Sequence, residues 1–92
     1  MNNRKLSYHT QGRGGSVLYQ DAIGQISFSF EFAASDCVAI IFVPTEAQWT
    51  AQTQRPLTDR TAILTFVAEQ ALRDQVPGGR YELYDPYIEL WR

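Results

Sequence analysis

The stretch from residue 25 to residue 33 constrains the fold of this chain more than any other part of the sequence. Apolar and polar residues alternate along it. The apolar positions are Ile26, Phe28, Phe30 and Phe32, and the polar positions between them are Ser27, Ser29 and Glu31. A period of two is the pattern of a β-strand with one buried face and one face in water. We therefore expect a strand over 25–33 with its phenylalanine face in the core.

The neighbouring segments predict two further strands. Cys37 to Val43 is an unbroken apolar run, which favours either a central strand covered on both faces or one whose outer face meets something else. Upstream, Ser16 to Gln20 is rich in β-favouring residues and is followed by a turn that Asp21 can open by accepting from its own backbone. The short breaks between the three strands predict an antiparallel three-stranded meander.

Two helices follow the meander. Thr45 and Gln48 fit a capping box for a short helix over 46–52. A long helix is predicted over 58–75, with Thr58 as its N-cap. Its apolar residues cover an arc of roughly 240°, although a helix on one sheet face needs only about 100° or somewhat more. The excess predicts a second cover, either the short helix with Trp49 or another subunit.

The C-terminal segment, residues 80–92, contains two β segments around Asp85 and Pro86. They form either a tight hairpin or one bent strand. The expected fold class is therefore α+β: an antiparallel sheet made of a three-stranded meander plus one or two C-terminal strands, with one long helix packed on one face and a short helix before it. We expect one domain over 1–92, with residues 1–15 as a partly flexible N-terminal segment.

Composition narrows the classes of partner and compartment. The 92 residues carry a formal net charge of −2, which argues against nonspecific nucleic-acid binding. A local patch of Arg4, Lys5 and Arg13 would be the basis of a nucleic-acid alternative. The sequence contains no secretory signal pattern and no apolar run of membrane-spanning length, and its single cysteine suits a reducing compartment. We expect a soluble, cytoplasmic protein without a membrane partner.

The sequence supplies few groups for catalysis. His9 is the single histidine and Cys37 lies in an apolar strand, so no zinc site of the usual ligand sets can be assembled. We expect no metal, no cofactor and, on balance, no enzymatic activity. The alternative is a small-ligand or enzymatic site on the face formed by Ser27, Ser29 and Glu31, where a covered Glu31 could act as a general acid or base.

Aromatic residues are the strongest surface signal. Five Phe, five Tyr and two Trp exceed what a core of this size needs, and exposed Trp and Tyr are enriched at protein interfaces. The candidate binding residues are Trp49, Tyr84, Tyr87, Trp91 and Glu31. The leading hypothesis is a protein-binding domain without catalytic activity. We expect it to self-associate as a homodimer or to bind another protein partner. The alternative reading of each aromatic is that it packs around the rim of a small core.

Overall fold

Among residues 3–92, the part of the chain that the computed structural model describes, an antiparallel sheet forms one layer and two helices form the other. The strands are β1 (Lys5–Gln11), β2 (Gly14–Gln20), β3 (Gln25–Phe32), β4 (Cys37–Phe42), β5 (Arg80–Leu83) and β6 (Tyr87–Trp91). The helices are α1 (Trp49–Thr53) and α2 (Arg60–Gln75), with a 3₁₀ turn at Leu57–Asp59 between them. This arrangement confirms the predicted α+β class.

The six strands lie in the order β1-β2-β3-β4-β6-β5, and every neighbouring pair is antiparallel. The predicted meander is present, and β1 extends it by a strand. The C-terminal segment is a hairpin rather than a bent strand, closed by a hydrogen bond from Tyr84 N–H to the carbonyl of Tyr87 at 2.8 Å. The flexibility of residues 1–15 stays a prediction. Residues 5–11 form strand β1, and residues 1 and 2 lie outside the described part.

One face of the sheet packs against the helices and forms the core. The alternation predicted for β3 is confirmed, because Ile26, Phe28 and Phe30 are buried and the intervening residues are exposed. Phe32 is the exception, since 48% of its surface is exposed. It is the last residue of the strand, and its ring packs edge-on against Phe30 with centroids 5.3 Å apart. The expectation that Phe32 lies inside the core was therefore wrong.

Helix α2 contacts both edge strands of the sheet, β1 and β5. On edge strand β1, the Tyr8 hydroxyl donates to Asp74 Oδ2 at 2.6 Å. On edge strand β5, the Tyr81 hydroxyl donates to Glu69 Oε2 at 3.4 Å. Trp49 of the short helix belongs to the same core cluster as α2. Of the two covers expected for the helix, the short helix is present, and a second subunit stays a prediction.

The helix starts differ from the predicted ones. Neither Gln48 before α1 nor Asp59 before α2 makes a side-chain capping bond. Thr45 instead uses its carbonyl to accept from Gln48 N–H at 3.0 Å, so 45–48 is a turn and the predicted capping box was wrong. Thr58 lies inside the 3₁₀ turn and cannot be the non-helical residue that a cap requires. The end of α2 follows the prediction, with Gly78 at φ +84° after Val76.

A buried ion pair fixes the β2–β3 turn to the loop before α2. The Arg55 guanidinium, 5% exposed, donates to both carboxylate oxygens of Asp21 at 2.8 and 3.0 Å. Asp21 also accepts from the Tyr19 hydroxyl and from the N–H groups of Ile23 and Gly24, as expected for this turn. The Arg55 guanidinium, helped by Tyr19, holds the pKa of Asp21 well below its usual range despite the opposing effect of burial.

Candidate functional site

The face of the sheet opposite the helices, here called the open face, is not packed against any element of residues 3–92. Residues paired across antiparallel strands share a face, so the registers define it. One row comprises His9, Ser16, Ser29, Phe42 and Tyr87. The next row comprises Gln11, Gly14, Glu31, Ile40, Glu89 and Glu82. Every residue of both rows is exposed or half-buried, whereas their neighbours along the strands supply the core.

Side-chain type divides the open face into two halves. The serine half lies on β1–β3 and is defined by its four serines, Ser7, Ser16, Ser27 and Ser29; Leu18 lies between Ser7 and Ser27, and most of the other positions carry longer polar side chains. The aromatic half lies on β4, β6 and β5 and is defined by Ile40, Phe42, Tyr84, Tyr87 and Trp91. Each half comprises three adjacent strands, because β3 and β4 are the central pair. The Phe, Tyr and Trp side chains of the open face therefore lie on one side of the middle of the sheet, and its serines lie on the other.

Three of the predicted aromatic candidates meet in the aromatic half. The Tyr84 and Tyr87 rings lie 5.1 Å apart between centroids, and Tyr87 is the register partner of Phe42. Trp91 donates from Nε1 to Glu89 Oε1 at 3.2 Å, and the Arg80 guanidinium lies 5.2 Å from its ring centroid. Phe42 and Tyr84 remain 39% and 44% exposed. The structure thus places a cluster of rings on an outward face.

Glu31, the fourth candidate on this face, lies beside the aromatic half. It is exposed on β3 and is the register partner of Ile40, which is in turn opposite Glu89. Glu89 is opposite Glu82, so a row of three carboxylates crosses the face with Ile40 among them. The predicted candidates other than Trp49 therefore lie on one continuous surface.

Trp49 lies elsewhere. Its side chain is fully buried, at 0% exposure, and its Nε1 donates to the carbonyl of Pro56 at 3.1 Å. The indole fills the core on the covered side of the sheet, and its one polar group is satisfied there. We therefore leave Trp49 out of the candidate surface.

Ile40 and Phe42 belong to the surface although they were not among the predicted site residues. Their positions follow from the alternation of β4, in which Ala39 and Ile41 are buried and the residues between them are not. The signal was present in the unbroken apolar run of 37–43. The sequence alone does not show which residues of this run face the core. That is decided by the tertiary packing of Ala39 and Ile41.

Cys37 is buried, as the sequence indicated, but it lies outside the main core cluster. A bulge between Cys37 and Ala39 makes Trp91 its register partner, so its thiol shares the open face with that indole. Burial raises the pKa of the thiol, and the nearby Glu89 carboxylate raises it further. A protonated, covered thiol is a poor nucleophile, so Cys37 is suited to packing rather than to chemistry.

The polar face of β3 gives no support to the alternative of a catalytic or ligand site. Ser27, Ser29 and Glu31 are exposed, and none of them lines the cavity beneath α2, the cleft beside Asp85 or the cleft beside Arg55. Within residues 3–92, no group of three or more His, Cys, Asp or Glu side chains could hold a metal ion. Searching the same residues for a helix of the length and apolarity needed to cross a membrane finds none.

The basic residues near the N-terminus do not share one surface. Arg4 has its guanidinium 5.8 Å from the ring centroid of Phe66, on the helix side of the sheet. Lys5, the next residue, starts β1 opposite Gln20 and belongs to the open face. Arg55, which precedes α2, and Arg60, the first residue of α2, are also engaged. Arg55 binds Asp21, and Arg60 binds Asp85 at 3.0 Å and the carbonyl of Pro44.

No protein-family model, no curated protein and no solved structure matches this chain. What the open face does has to be inferred from its geometry and chemistry.

Proposed function

We propose that this chain is a protein-binding domain without catalytic activity that pairs with a second copy of itself through the open face. The observation that carries the proposal is the division of that face into an aromatic half and a serine half of equal width. The core forms without the aromatic half, since none of the residues that define that half belongs to the core cluster.

The aromatic half has the properties of an interface rather than of an ordinary surface. Scattered apolar side chains on a protein surface need no explanation, but a contiguous group with a polar surround marks an interaction site. Phe42, Tyr84 and Tyr87 adjoin one another here, with Glu82 and Glu89 beside them. Rings of this kind bury a large area at low entropic cost, which is why they dominate binding energies.

Self-pairing follows from the shape of the face. A two-fold axis that lies between two facing sheets and runs parallel to the strands places β1–β3 of one copy over β4, β6 and β5 of the other. The rings of each aromatic half then meet the serine half of the partner copy, where short side chains leave room for them. Facing sheets pack about 10 Å apart, a gap that one layer of large side chains fills. The contact is isologous and closes as a dimer.

The size of the face sets the expected affinity. Strands about 4.8 Å apart and about 20 Å long give six strands a flat area of roughly 500 Å². Stable interfaces bury about 800 Å² on each partner. We therefore expect a reversible dimer with a Kd in the micromolar range.

Sedimentation equilibrium tests the proposal. The unmodified chain should move from its monomer mass of 10.5 kDa towards twice that value as its concentration rises from about 1 to several hundred micromolar. Phe42→Arg in the aromatic half and Ser29→Arg in the serine half should each weaken the dimer at least about tenfold. Gln52→Arg, an exposed position on the covered side, is the matched control and should leave the mass profile unchanged.

Circular dichroism establishes that each variant is folded before its mass is interpreted. A monomer at several hundred micromolar would contradict self-association. A dimer that both open-face variants leave intact would contradict the assignment of the interface to this face.

A further inference from the structure

A second feature of the molecule, independent of the open face, is a cavity of about 70 Å³ between the sheet and the C-terminal end of α2. Its lining comprises Tyr8, Thr10, Val17, Phe30, Phe32, Val38, Ala39, Ile41, Ala71, Gln75 and Leu90. These residues come from five strands and the last turns of the helix. The cavity lies on the covered side of the sheet, so neither half of the open face contributes to it.

Two small side chains create the space. Ala39 on β4 and Ala71 on α2 both line the cavity and are 7% and 1% exposed. The wall behind them is made by Val17, Ile41 and Leu90, each 2% exposed. Protein interiors keep few voids larger than a water molecule, because an unfilled space forfeits the contacts of its lining. The void beside Ala39 and Ala71 departs from this dense packing, and a ligand that filled it would restore the missing contacts.

The chemistry of the lining selects an uncharged ligand. No Asp, Glu, Lys, Arg or His side chain is among the residues of the wall. The hydroxyl of Tyr8 is already held by Asp74 at 2.6 Å, and the remaining polar side chains are Thr10 and Gln75. A charged molecule would lose its hydration here without gaining an opposite charge, which costs several kcal/mol. An apolar molecule gains contact with aliphatic and aromatic groups.

Three exposed residues of the lining mark the entrance. Phe32, which is 48% exposed, lines the cavity together with the exposed Thr10 and Gln75, so the space reaches the surface beside them. The enclosed volume is about half of the ~150 Å³ of an engineered apolar cavity, in another protein, that encloses benzene. A ligand would therefore be held by one end and extend past Phe32.

We propose that this cavity is a binding site for small, uncharged, apolar molecules, such as a single substituted ring or a short alkyl chain. One end of the ligand lies between Ala39 and Ala71, and the other lies against the ring of Phe32. The site is separate from the proposed self-association, and either can fail without the other.

Methyl-resolved NMR of the full chain tests the site with toluene as the probe. Toluene should shift the methyl signals of Val17, Val38, Ile41 and Leu90, which line the cavity, in a saturable manner. The methyls of Ile26 and Val43, which are buried in the same core outside the cavity, should not move. Benzoate, which has the same ring with a carboxylate in place of the methyl group, should cause no comparable shift.

Ala71→Leu is the decisive variant, because it adds three carbons to the cavity without changing polarity. It should abolish the toluene shifts and leave the thermal midpoint equal to or above that of the unmodified chain. Ala62→Leu makes the same substitution at an exposed position of the same helix and should keep the toluene response. If Ala71→Leu does not fold, Ala39→Val, a β-favouring change from the opposite wall, should weaken toluene binding at least tenfold.

The proposal is overturned if toluene at its solubility limit leaves the methyl signals of these four residues unmoved in the unmodified chain. It is also overturned if a folded Ala71→Leu responds to toluene as Ala62→Leu does, or if benzoate binds as tightly as toluene.

Discussion

The two faces of the sheet use similar residues for different purposes. On the covered face of β4, Ala39 and Ile41 pack beneath the helices; on the open face of the same strand, Ile40 and Phe42 point away from them. Each face also carries a tryptophan, with Trp49 fully buried on one side and Trp91 half-buried on the other. What separates the faces is what lies over them. Packing within one copy of the chain therefore accounts for Ala39 and Ile41 but not for Ile40 and Phe42.

The largest expected difference between the faces comes from removing each tryptophan. Trp49→Ala should lower the free energy of unfolding by about 3–5 kcal/mol, because a fully buried ring leaves a cavity and the carbonyl of Pro56 loses its donor. Trp91→Ala should cost no more than about 1 kcal/mol, since its losses are a partly exposed ring and its contact with Arg80. Urea unfolding at a concentration well below the expected Kd measures both. Equal losses would remove the distinction between the two faces.

The ion pair on the covered side should give the next largest effect. Asp21→Asn should cost about 3 kcal/mol near neutral pH, because Arg55 would stay buried without its counter-charge. Asp36→Asn, at an exposed position, is the matched control and should change stability by less than about 0.5 kcal/mol. Urea unfolding at pH 7 measures both variants.

The same pair predicts a pH dependence of stability. The pKa of Asp21 is lowered in the folded state, so its contribution is fully present above the unfolded pKa of about 4 and is lost as the pH falls below that value towards the folded pKa. Thermal midpoints measured from pH 6 to pH 2 should therefore fall more steeply for the unmodified chain than for Asp21→Asn. Parallel profiles would show that Asp21 does not supply the acid sensitivity.

The smallest expected effect compares two tyrosine hydroxyls, one tied to the helix and one on the open face. Tyr8→Phe removes a 2.6 Å hydrogen bond to Asp74 and should cost about 1 kcal/mol, whereas Tyr84→Phe should leave the stability of the monomer nearly unchanged. Burial, together with Asp74, raises the pKa of Tyr8, so its contribution is present below pH 10 and is lost as the pH rises beyond that. Urea unfolding at pH 7 and pH 10.5 checks this. A larger loss for Tyr84→Phe would reverse the expected order.

The sequence predicted the fold where one local pattern decided the outcome. The alternation through Ile26, Phe28 and Phe30 placed β3 correctly, and the apolar arc of 58–75 placed the long helix. It failed at the helix starts, where each weak capping signal competed with another local turn. Thr45 and Thr58 both matched helix caps, but the carbonyl of Thr45 closes a turn and Thr58 enters a 3₁₀ turn.

The candidate surface was predicted in part for the same reason. The C-terminal hairpin contains Tyr84, Tyr87 and Trp91, so placing them required only the local alternation of one segment. Trp49 could not be placed this way, because its position depends on how α1 docks onto the sheet. The pairing of Arg55 with Asp21 likewise joins residues far apart in the chain, and nothing in their local sequence selects one carboxylate over another.

The central claim is that a second copy of this chain covers the open face, and intermolecular contacts test it most directly. An equimolar mixture of isotope-labelled and unlabelled chains at high micromolar concentration is examined by isotope-filtered NOE spectroscopy. The account predicts NOEs from the rings of Phe42 and Tyr87 in one copy to the side-chain protons of Ser16 and Ser29 in the other. NOEs confined to other surfaces, or none at a concentration where the mass is that of a dimer, would contradict it.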